Sequence, residues 1–444
     1  MDCQLSYTLI QQTPLIHFQH DQKGATLRAT EVKPKLDRFI IEKMGGKENV
    51  PASWFIGETN ALNYKLRILT TGKPNVSNMI EAEIAWDRAK RQNADKKTKK
   101  KLEQDRNAAI NGMYFGNMVS GKGEEYEQNV RDQYKETVFY EGNDRIRLEV
   151  ICFVKALKQE IEKHIEEFFI VTNFGTRQSK GFGGFVALKP GDDINLVDPI
   201  KILNNNGNLF FYINFAVGTS YSVMLEHAKN IYALMKSGYS YPKRVQGYMM
   251  DYFAEDFDSR KEGSDKYLIK KYKGNFWDAS QSDDKFVFSR ALLGLAEFYE
   301  FTEKKGNKTK VRIFSLGEDG FDIERFRSPI TIKVVGNKLI FLFGSFDKIC
   351  GKTFYLTPNG IQGEKEFDQK DYKDKKNFIL SNPKSFKKIK TPDKFDRNDI
   401  IDFINLFVGF FEWLGEDTSE IKGSPVIESL KLRINIPPYL RRKI

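Results

Sequence analysis

The stretch from residue 145 to residue 188 constrains the fold of this chain more than any other part of its sequence. Apolar residues alternate with polar ones over 145–154, which predicts a β-strand. From 157 to 168, apolar residues recur at spacings of four, four and three, which is typical of an amphipathic helix. A glycine-rich loop at 173–185 leads into a short apolar strand at 185–188. This order indicates a domain in which helices cover a β-sheet.

The second half of the chain repeats this order. Residues 209–217 predict a buried strand, and the apolar side of 221–236 predicts a helix. The runs at 330–335 and 338–344 predict a hairpin, because the Gly336-Asn337 pair between them suits a two-residue turn. In this half we also predict two further helices, over 289–302 and 399–414, and a terminal strand over 429–436.

The first half opens with a strand at 5–10, followed by a helix over 25–40 that we expect Pro34 to interrupt. Each half therefore contains strand, helix, strands, helix and strand. We predict an α+β fold of two tandem ferredoxin-like, RRM-like domains, at 1–205 and 206–444. The open face of such a sheet and its loops can hold single-stranded RNA.

Two polar stretches interrupt this pattern and are predicted as long insertions, at about 45–143 and about 363–398. The first carries a lysine run at 96–101 within a helix-compatible segment, and the second is also rich in lysine. A lysine run is most often the solvated face of a helix, and on a basic protein it can also attract phosphates.

Charge narrows the class of partner. The 444 residues include 71 Lys and Arg against 60 Asp and Glu, which gives a net charge of +11. This excess favours a polyanionic partner, nucleic acid first and an anionic membrane surface second.

The cysteines and the apolar segments indicate the compartment. Cys3, Cys152 and Cys350 are far apart and odd in number, which excludes a disulfide framework and favours a reducing environment. The N-terminal residues have no signal-peptide pattern, and the apolar stretch at 400–414 is too short to cross a bilayer. We therefore expect a soluble, cytoplasmic protein that does not bind membranes.

The glycine-rich loop is the strongest candidate site. Glycines such as Gly181 and Gly183 permit positive φ and a close approach to a ligand, while Arg177 and Lys180 can contact phosphates. The spacing fits neither a Walker loop nor the GxGxxG pattern. A flexible hairpin loop with incidental charge remains the alternative interpretation.

A second candidate lies near the N-terminus. His17 and His20 form an HxxH pair without a third ligand nearby, so we predict no metal. A histidine here can instead act as a general acid or base in RNA cleavage, with Asp21 orienting a 2′-hydroxyl, although solvated loop residues are the commoner case. Arg28 and Lys33 suit phosphate binding better than catalysis.

Aromatic side chains can stack on RNA bases. With 36 Phe and 19 Tyr in the chain, most of them must contribute to packing. The aromatic residues that we consider for stacking are Trp54, Tyr126, Tyr140 and Phe182.

Three segments together resemble the RAMP superfamily of CRISPR-associated proteins, and within it the first RAMP subunit of type III-B (Cmr) effector complexes. The first is Thr13-Pro14-Leu15 followed by the Gly-x-x-x-Arg helix start that ends at Arg28. The second is the loop at 175–183, and the third is Arg325-Phe326-Arg327-Ser328-Pro329-Ile330.

This resemblance implies an RNA-binding subunit of a crRNA-guided type III interference complex, with sibling RAMP subunits as partners. It implies contact with the 3′ portion of the crRNA, with target RNA, or with both. From their positions in the motifs, the resemblance implies RNA contact by Arg177, Lys180, Gly181 and Gly183, and less directly by Arg28. It implies a structural role for Ser328-Pro329. No cofactor is implied, and in this family target cleavage belongs to a different subunit.

Two other functions stay open at this point. One is a metal-independent RAMP endoribonuclease that processes crRNA or cuts target RNA, with His17, His20 and Asp21 as its catalytic residues. The other is a scaffold without RNA contact, whose charge only aids solubility.

Overall fold

The computed structural model divides the chain into two compact units, Met1–Lys229 with Thr331–Phe343, and Asn230–Ile330 with Gly344–Ile444. Within them it describes residues 3–16, 26–76, 79–110, 122–133, 137–140, 146–194, 197–208, 210–236, 247–249, 288–295, 298–302, 308–315, 326–344, 349–358, 374, 377–378, 381, 387–391 and 409–410.

The described residues form helices and strands that we number in chain order. The helices are α1 Ala29–Lys43, α2 Met79–Arg91, α3 Lys96–Ile110, α4 Glu124–Gln133, α5 Lys155–Val171, α6 Pro199–Asn205 and α7 Tyr221–Lys236. The strands are β1 Gln4–Gln11, β2 Leu15–Ile16, β3 Lys65–Thr70, β4 Asn75–Val76, β5 Thr137–Phe139, β6 Ile146–Ile151, β7 Phe185–Leu188, β8 Phe210–Asn214, β9 Phe298–Thr302, β10 Lys308–Ser315, β11 Ile330–Val335, β12 Lys338–Phe343, β13 Thr353–Pro358 and β14 Lys387–Lys390.

The first unit contains a four-stranded antiparallel sheet in the order β3-β6-β1-β7. Helix α1 follows β1 and helix α5 follows β6, so both helices belong to the connections of this sheet. The predicted apolar spacing of α5 is confirmed, because Leu157, Ile161 and Ile165 are fully buried. Phe39 of α1 packs on Phe168 of α5 with ring centroids 5.5 Å apart.

Pro34 does not interrupt α1, so the expected break is wrong. The proline is the sixth residue of the helix, which continues to Lys43. A proline removes a single backbone hydrogen bond at such a position. Burial of Val32, Leu36 and Ile40 on one face of α1 outweighs that loss.

The stretch predicted as an insertion at about 45–143 is part of the fold at its start. Strand β3 pairs with β6 over six residues, from Lys65 opposite Ile151 to Thr70 opposite Ile146. Leu66 is buried and its neighbours on either side are exposed, so β3 has one face in the core. The strand was missed because its charged outer residues, Lys65 and Arg67, hide the alternation. The helical part of the insertion begins after β3, at α2.

A second sheet of the first unit has the order β11-β12-β8. The predicted hairpin of β11 and β12 is confirmed, with Gly336 in its turn at a φ of 57°. A cluster of buried residues from both sheets forms a common core, and it includes Ile10, Ile170, Val186, Phe210, Val335 and Ile340.

In the second unit, the sheet order is β14-β13-β10-β9. The helix predicted over 289–302 is wrong, because this stretch holds a short 3₁₀ turn at Ser289–Leu293 and then β9. Gly294, at a φ of 112°, ends the turn, and the aromatic residues of Phe298–Thr302 suit a strand. The helix predicted over 399–414 and the strand predicted over 429–436 lie outside the described residues, apart from two helical residues at 409–410.

A buried lysine joins strand β11 of the second sheet to helix α5, which lies between β6 and β7 of the first sheet in the chain. Lys333 of β11 is fully buried, and its Nζ donates hydrogen bonds to the carbonyls of Phe169 and Thr172, at 2.6 and 2.8 Å. These two carbonyls belong to the last turn of α5 and its C-cap, where the helix dipole favours a cation. Burial, and after it the charge of Lys35, holds the pKa of Lys333 well below its ordinary value.

We expect this lysine to make stability depend on pH. Because its pKa is lower in the folded chain than in the unfolded chain, the unfolded chain binds one more proton between the two values. The free energy of unfolding should then rise with pH in that range, by up to about 1.4 kcal/mol per pH unit. The Lys333→Met variant should lack this slope in urea unfolding at pH 7, 8 and 9.

Lys65→Met is the matched control, since it removes an exposed strand lysine from the same unit. It should reproduce the wild-type slope. If the free energy of unfolding changed with pH in the same way in the wild type and in Lys333→Met, Lys333 would not be the source of the pH dependence.

Candidate nucleic-acid interface

The glycine-rich loop is closed at its base as a tight hairpin. Asn173 and Gly184 form an antiparallel bridge, and the Phe174 amide donates to the Gly183 carbonyl at 2.9 Å. The loop therefore begins where α5 ends and finishes where β7 begins. Backbone hydrogen bonds hold the base of this hairpin loop, and the alternative that its charge is incidental stays open.

The Thr13-Pro14-Leu15 segment lies along one side of this loop. The Gly184 amide donates to Oγ1 of Thr13 at 2.8 Å, and the Gly183 amide donates to the Pro14 carbonyl at 2.8 Å. Further along, the Thr176 amide donates to the Ile16 carbonyl at 2.7 Å. Two segments that are far apart in the sequence and that both carry the resemblance are thus hydrogen-bonded to each other.

Helix α1 holds the loop from a second side. Oε1 of Glu31, in the first turn of α1, accepts a hydrogen bond from the Gly175 amide at 2.6 Å. One turn later, Nζ of Lys35 donates to the Asn173 carbonyl at 3.0 Å and lies 4.8 Å from the centre of the Phe174 ring. The first turn of α1 and the loop are therefore fixed to each other.

Strand β11 holds the loop from a third side. The Ile332 amide donates to the Ser179 carbonyl at 3.2 Å. The side-chain amide of Asn173 donates to the carbonyls of Gln178 and Ile332, at 2.7 and 2.8 Å. Ile332 is the neighbour of Lys333, so the buried lysine and the loop depend on the same strand.

The glycines of the loop approach protein instead of open space. A Cβ atom on Gly183 would overlap the Phe174 carbonyl oxygen, and one on Gly181 would lie 2.6 Å from Leu225. Both glycines are buried and both have positive φ. Their close approach is a requirement of packing, which corrects our expectation that they approach a ligand.

Arg177 and Lys180 lie on the half-buried part of the loop, between its fixed ends. The Lys180 amide donates to the Arg177 carbonyl at 2.8 Å, which makes a turn of the intervening residues. Arg177 has a φ of 57°, in the left-handed region that side chains other than Gly, Asn and Asp rarely adopt. Among the described non-glycine residues, Asn93 is the other one with positive φ.

The two basic residues predicted on and before α1 differ in their surroundings. Arg28 is the half-buried N-cap residue of α1, one turn before Glu31 and therefore on the side of the helix that holds the loop. Lys33 donates to Oδ2 of Asp37 at 2.8 Å and to the Leu62 carbonyl at 2.9 Å, and lies over the Tyr64 ring. These contacts engage its ammonium within the fold.

His17, His20 and Asp21 lie outside the described residues. Within the described residues, no group of three or more His, Cys, Asp or Glu side chains could hold a metal ion. In the same part of the chain, no helix is long and apolar enough to cross a membrane.

Ser328 is buried, and its Oγ accepts a hydrogen bond from the Ile330 amide at 3.3 Å.

Most of the aromatic candidates for base stacking are packed in cores. Phe182 is fully buried, and Trp54 and Tyr140 are each 6% exposed. Tyr126 is half-buried and donates its hydroxyl to Oε1 of Glu83 at 2.7 Å. The expectation that Phe182, Trp54 and Tyr140 stack on bases is therefore wrong.

The sequence analysis does not predict a role in positioning the loop for four residues, Thr13, Glu31, Asn173 and Lys333. Lys333 had a usable signal, since a lone lysine in the β-branched run of β11 requires buried acceptors. Thr13 belongs to one of the three motifs, but nothing in the sequence marks its hydroxyl as a hydrogen-bond acceptor. Glu31 and Asn173 gave no signal, because their partners are backbone amides or carbonyls whose positions depend on the fold.

Substitution of Gly183 tests this packing. Gly183→Ala places a methyl group against the Phe174 carbonyl and strains a residue with a φ of 68°. We expect the free energy of unfolding to fall by about 3 kcal/mol or more in urea unfolding. Gly207→Ala is the control, because Gly207 also has a φ of 68° with nothing within 4 Å of its Cβ position.

The control should lose only about 1 kcal/mol, from backbone strain alone. Equal losses in the two variants would show that the approach of Gly183 to Phe174 is not a steric constraint.

Comparison with known proteins identifies the family. The family model for the Cmr1 N-terminal domain matches residues 2–239, and the model for the Cmr1 C-terminal domain matches residues 245–413. Among curated proteins, none matches the chain. A crystal structure described as apo Cmr1 from Pyrococcus furiosus is similar at 9% identity over 77% of this chain and 88% of that one, with a TM-score of 0.35. From the two family matches, which together span most of its length, the chain belongs to the Cmr1 family, the first RAMP subunits of type III-B CRISPR complexes.

Proposed function

We propose that this chain is a noncatalytic RNA-binding subunit of a crRNA-guided type III CRISPR interference complex. It contacts the 3′ portion of the crRNA, target RNA, or both, and other subunits of the complex are its protein partners. Membership of the Cmr1 family supports the placement in a type III complex. We place it in the cytoplasm, where such an assembly meets RNA.

The backbone conformation of Arg177 is the observation that best supports RNA binding in this proposal. An arginine in the left-handed region costs about 1 kcal/mol that glycine or asparagine would avoid. Residues with strained backbones cluster at binding and active sites, which supports a function for the Arg177 side chain. The neighbouring loop glycines are fully engaged in packing, so RNA contact is assigned to the side chains of Arg177 and Lys180 and not to Gly181 and Gly183.

The loop suits phosphate contact because it is held from three sides. The segment 13–16, the first turn of α1 and β11 each bond to it. Fixed cations lose little conformational freedom on binding, and guanidinium groups match phosphate oxygens with two hydrogen bonds. Arg28, at the N-terminus of α1 near Glu31, extends the same basic surface.

We further propose that both halves of the chain are ferredoxin-like domains, at 1–205 and 206–444. The order β3-β6-β1-β7 with α1 and α5 between strands supports this for the first domain. The order β11-β12-β8 with α7 after β8 supports it for the second domain, although these strands lie in the first compact unit. The last helix and strand predicted for that domain fall outside the described residues, apart from 409–410. Open loops at one edge of such sheets suit single-stranded RNA.

Substitution of Arg177 by glycine separates binding from folding. In Arg177→Gly, relief of the left-handed strain offsets the added freedom of the unfolded chain, so the free energy of unfolding should stay within about 1 kcal/mol. The double variant, Arg177→Gly with Lys180→Gln, should bind labelled single-stranded RNA about tenfold more weakly than the wild type does, as measured by fluorescence anisotropy.

The control for charge is Arg67→Gln with Lys65→Gln, which removes the same two charges from the exposed side of β3. It should bind RNA nearly as the wild type does. Equal weakening by the two double variants would assign RNA binding to net charge and not to the loop.

A further inference from the structure

The helices α2, α3 and α4 carry two kinds of basic residue. On α2, Nε of Arg88 donates to Oε1 of Glu127 at 2.8 Å, and Nε of Arg91 donates to Oδ2 of Asp87 at 2.7 Å. Arg131 of α4 pairs with Glu81 at 2.9 Å. The hydrogen bond from Arg88 is the main cause that lowers the pKa of Glu127 to about 2, so that carboxylate stays ionised. The arginines are therefore neutralised by acids of α2 and α4.

Among the described residues, the lysines of α3 have no such partners. Lys96, Lys97, Lys100 and Lys101 are exposed, and Lys99 is half-buried. Within the described part of the chain, the ammonium groups of these five lysines form no ion pair or hydrogen bond. The pairing of the arginines leaves the positive charge of these helices concentrated on α3.

The four exposed lysines share one side of α3. Lys96 lies one turn from Lys100, and Lys97 lies one turn from Lys101, because residues four apart are neighbours on a helix surface. Leu102, which is half-buried, marks the opposite side. The lysines thus form two parallel rows of like charge, which we call the lysine face of α3.

This arrangement is unfavourable for the helix by itself. Like charges four residues apart repel, and lysines in a first turn oppose the positive end of the helix dipole. Asp95 offsets part of the cost as N-cap, since its Oδ1 accepts the amides of Lys97 and Thr98, each at 2.9 Å. The acids of α3, Glu103 and Asp105, come only after the lysine run, so a bound polyanion would relieve the repulsion that remains within it.

We propose that the lysine face of α3 is a second nucleic-acid surface, which binds the phosphate backbone of RNA without reading its sequence. The inference rests on the proposed RNA-binding function and assigns it a site separate from the loop. Lysine suits this task because its ammonium is a mobile point charge that follows a flexible backbone. An acidic protein surface is the competing occupant and is an outcome of the test.

The test compares two fourfold variants of the full chain. The first changes Lys96, Lys97, Lys100 and Lys101 to glutamine, which preserves helix propensity. The control changes four exposed lysines of the same unit that lie elsewhere, Lys65, Lys73, Lys155 and Lys201, to glutamine. The affinity for a labelled single-stranded RNA is measured by anisotropy at several salt concentrations, and circular dichroism checks that helix content is retained.

For the lysine-face variant, we expect affinity to fall on the order of tenfold. The slope of log affinity against log salt should decrease by about 0.7 for each phosphate that the variant no longer neutralises. The control should keep most of the affinity and the slope.

If the two variants weaken binding equally, or if neither does, the lysine face is not an RNA surface, and an acidic protein partner becomes the better assignment. In either case, loss of binding in the Arg177 and Lys180 variant leaves the proposed function intact. If the wild-type chain binds no RNA even at low salt, both the proposed function and this inference fail.

Discussion

The hydrogen bonds of the buried Lys333 amine link α5 to β11, and the rest of the first unit depends on this interaction. The amine lies at the end of α5, where it satisfies two backbone carbonyls, and it is supplied by a strand of the other sheet. A buried amine without hydrogen-bond acceptors at that depth would cost a few kcal/mol, which favours the observed positions of α5 and β11. The residue that follows α5 and its C-cap is Asn173, the base of the loop, and the residue before Lys333 is Ile332, which bonds to that loop. The position of the loop therefore follows from the position of one lysine.

The loop illustrates how glycine can serve a proposed binding site indirectly. Gly181 and Gly183 are required because side chains there would collide with Leu225 and with the Phe174 carbonyl. Their packing brings the loop close to its neighbours and leaves Arg177 and Lys180 between two fixed ends. A binding residue on a fixed segment loses less freedom when it meets its ligand. The strain at Arg177 is tolerated only because these surrounding bonds determine its backbone.

The two basic surfaces of the first unit differ in physical character. The loop presents an arginine and a lysine from a backbone held by hydrogen bonds, which suits a defined register of contacts. The lysine face of α3 presents four long side chains next to α2 and α4, whose arginines are paired with acids. Such a face attracts phosphates over a longer range and without geometric preference. A subunit that must first capture and then position RNA would use the two surfaces in that order.

The sequence by itself determined several local elements and the family. The spacing of Leu157, Ile161 and Ile165 predicted α5, and the Gly336-Asn337 turn predicted the hairpin, because these patterns depend on neighbours close along the chain. The charge excess and three short motifs indicated an RNA-binding RAMP family. Only the tertiary structure decided that β3 belongs to the main sheet, that residues 298–302 form a strand, and that the loop glycines face protein. Those outcomes depend on partners distant in the sequence, such as Ile332 for Gly181 and β6 for β3, and local periodicity carries no information about which distant backbone a residue will meet.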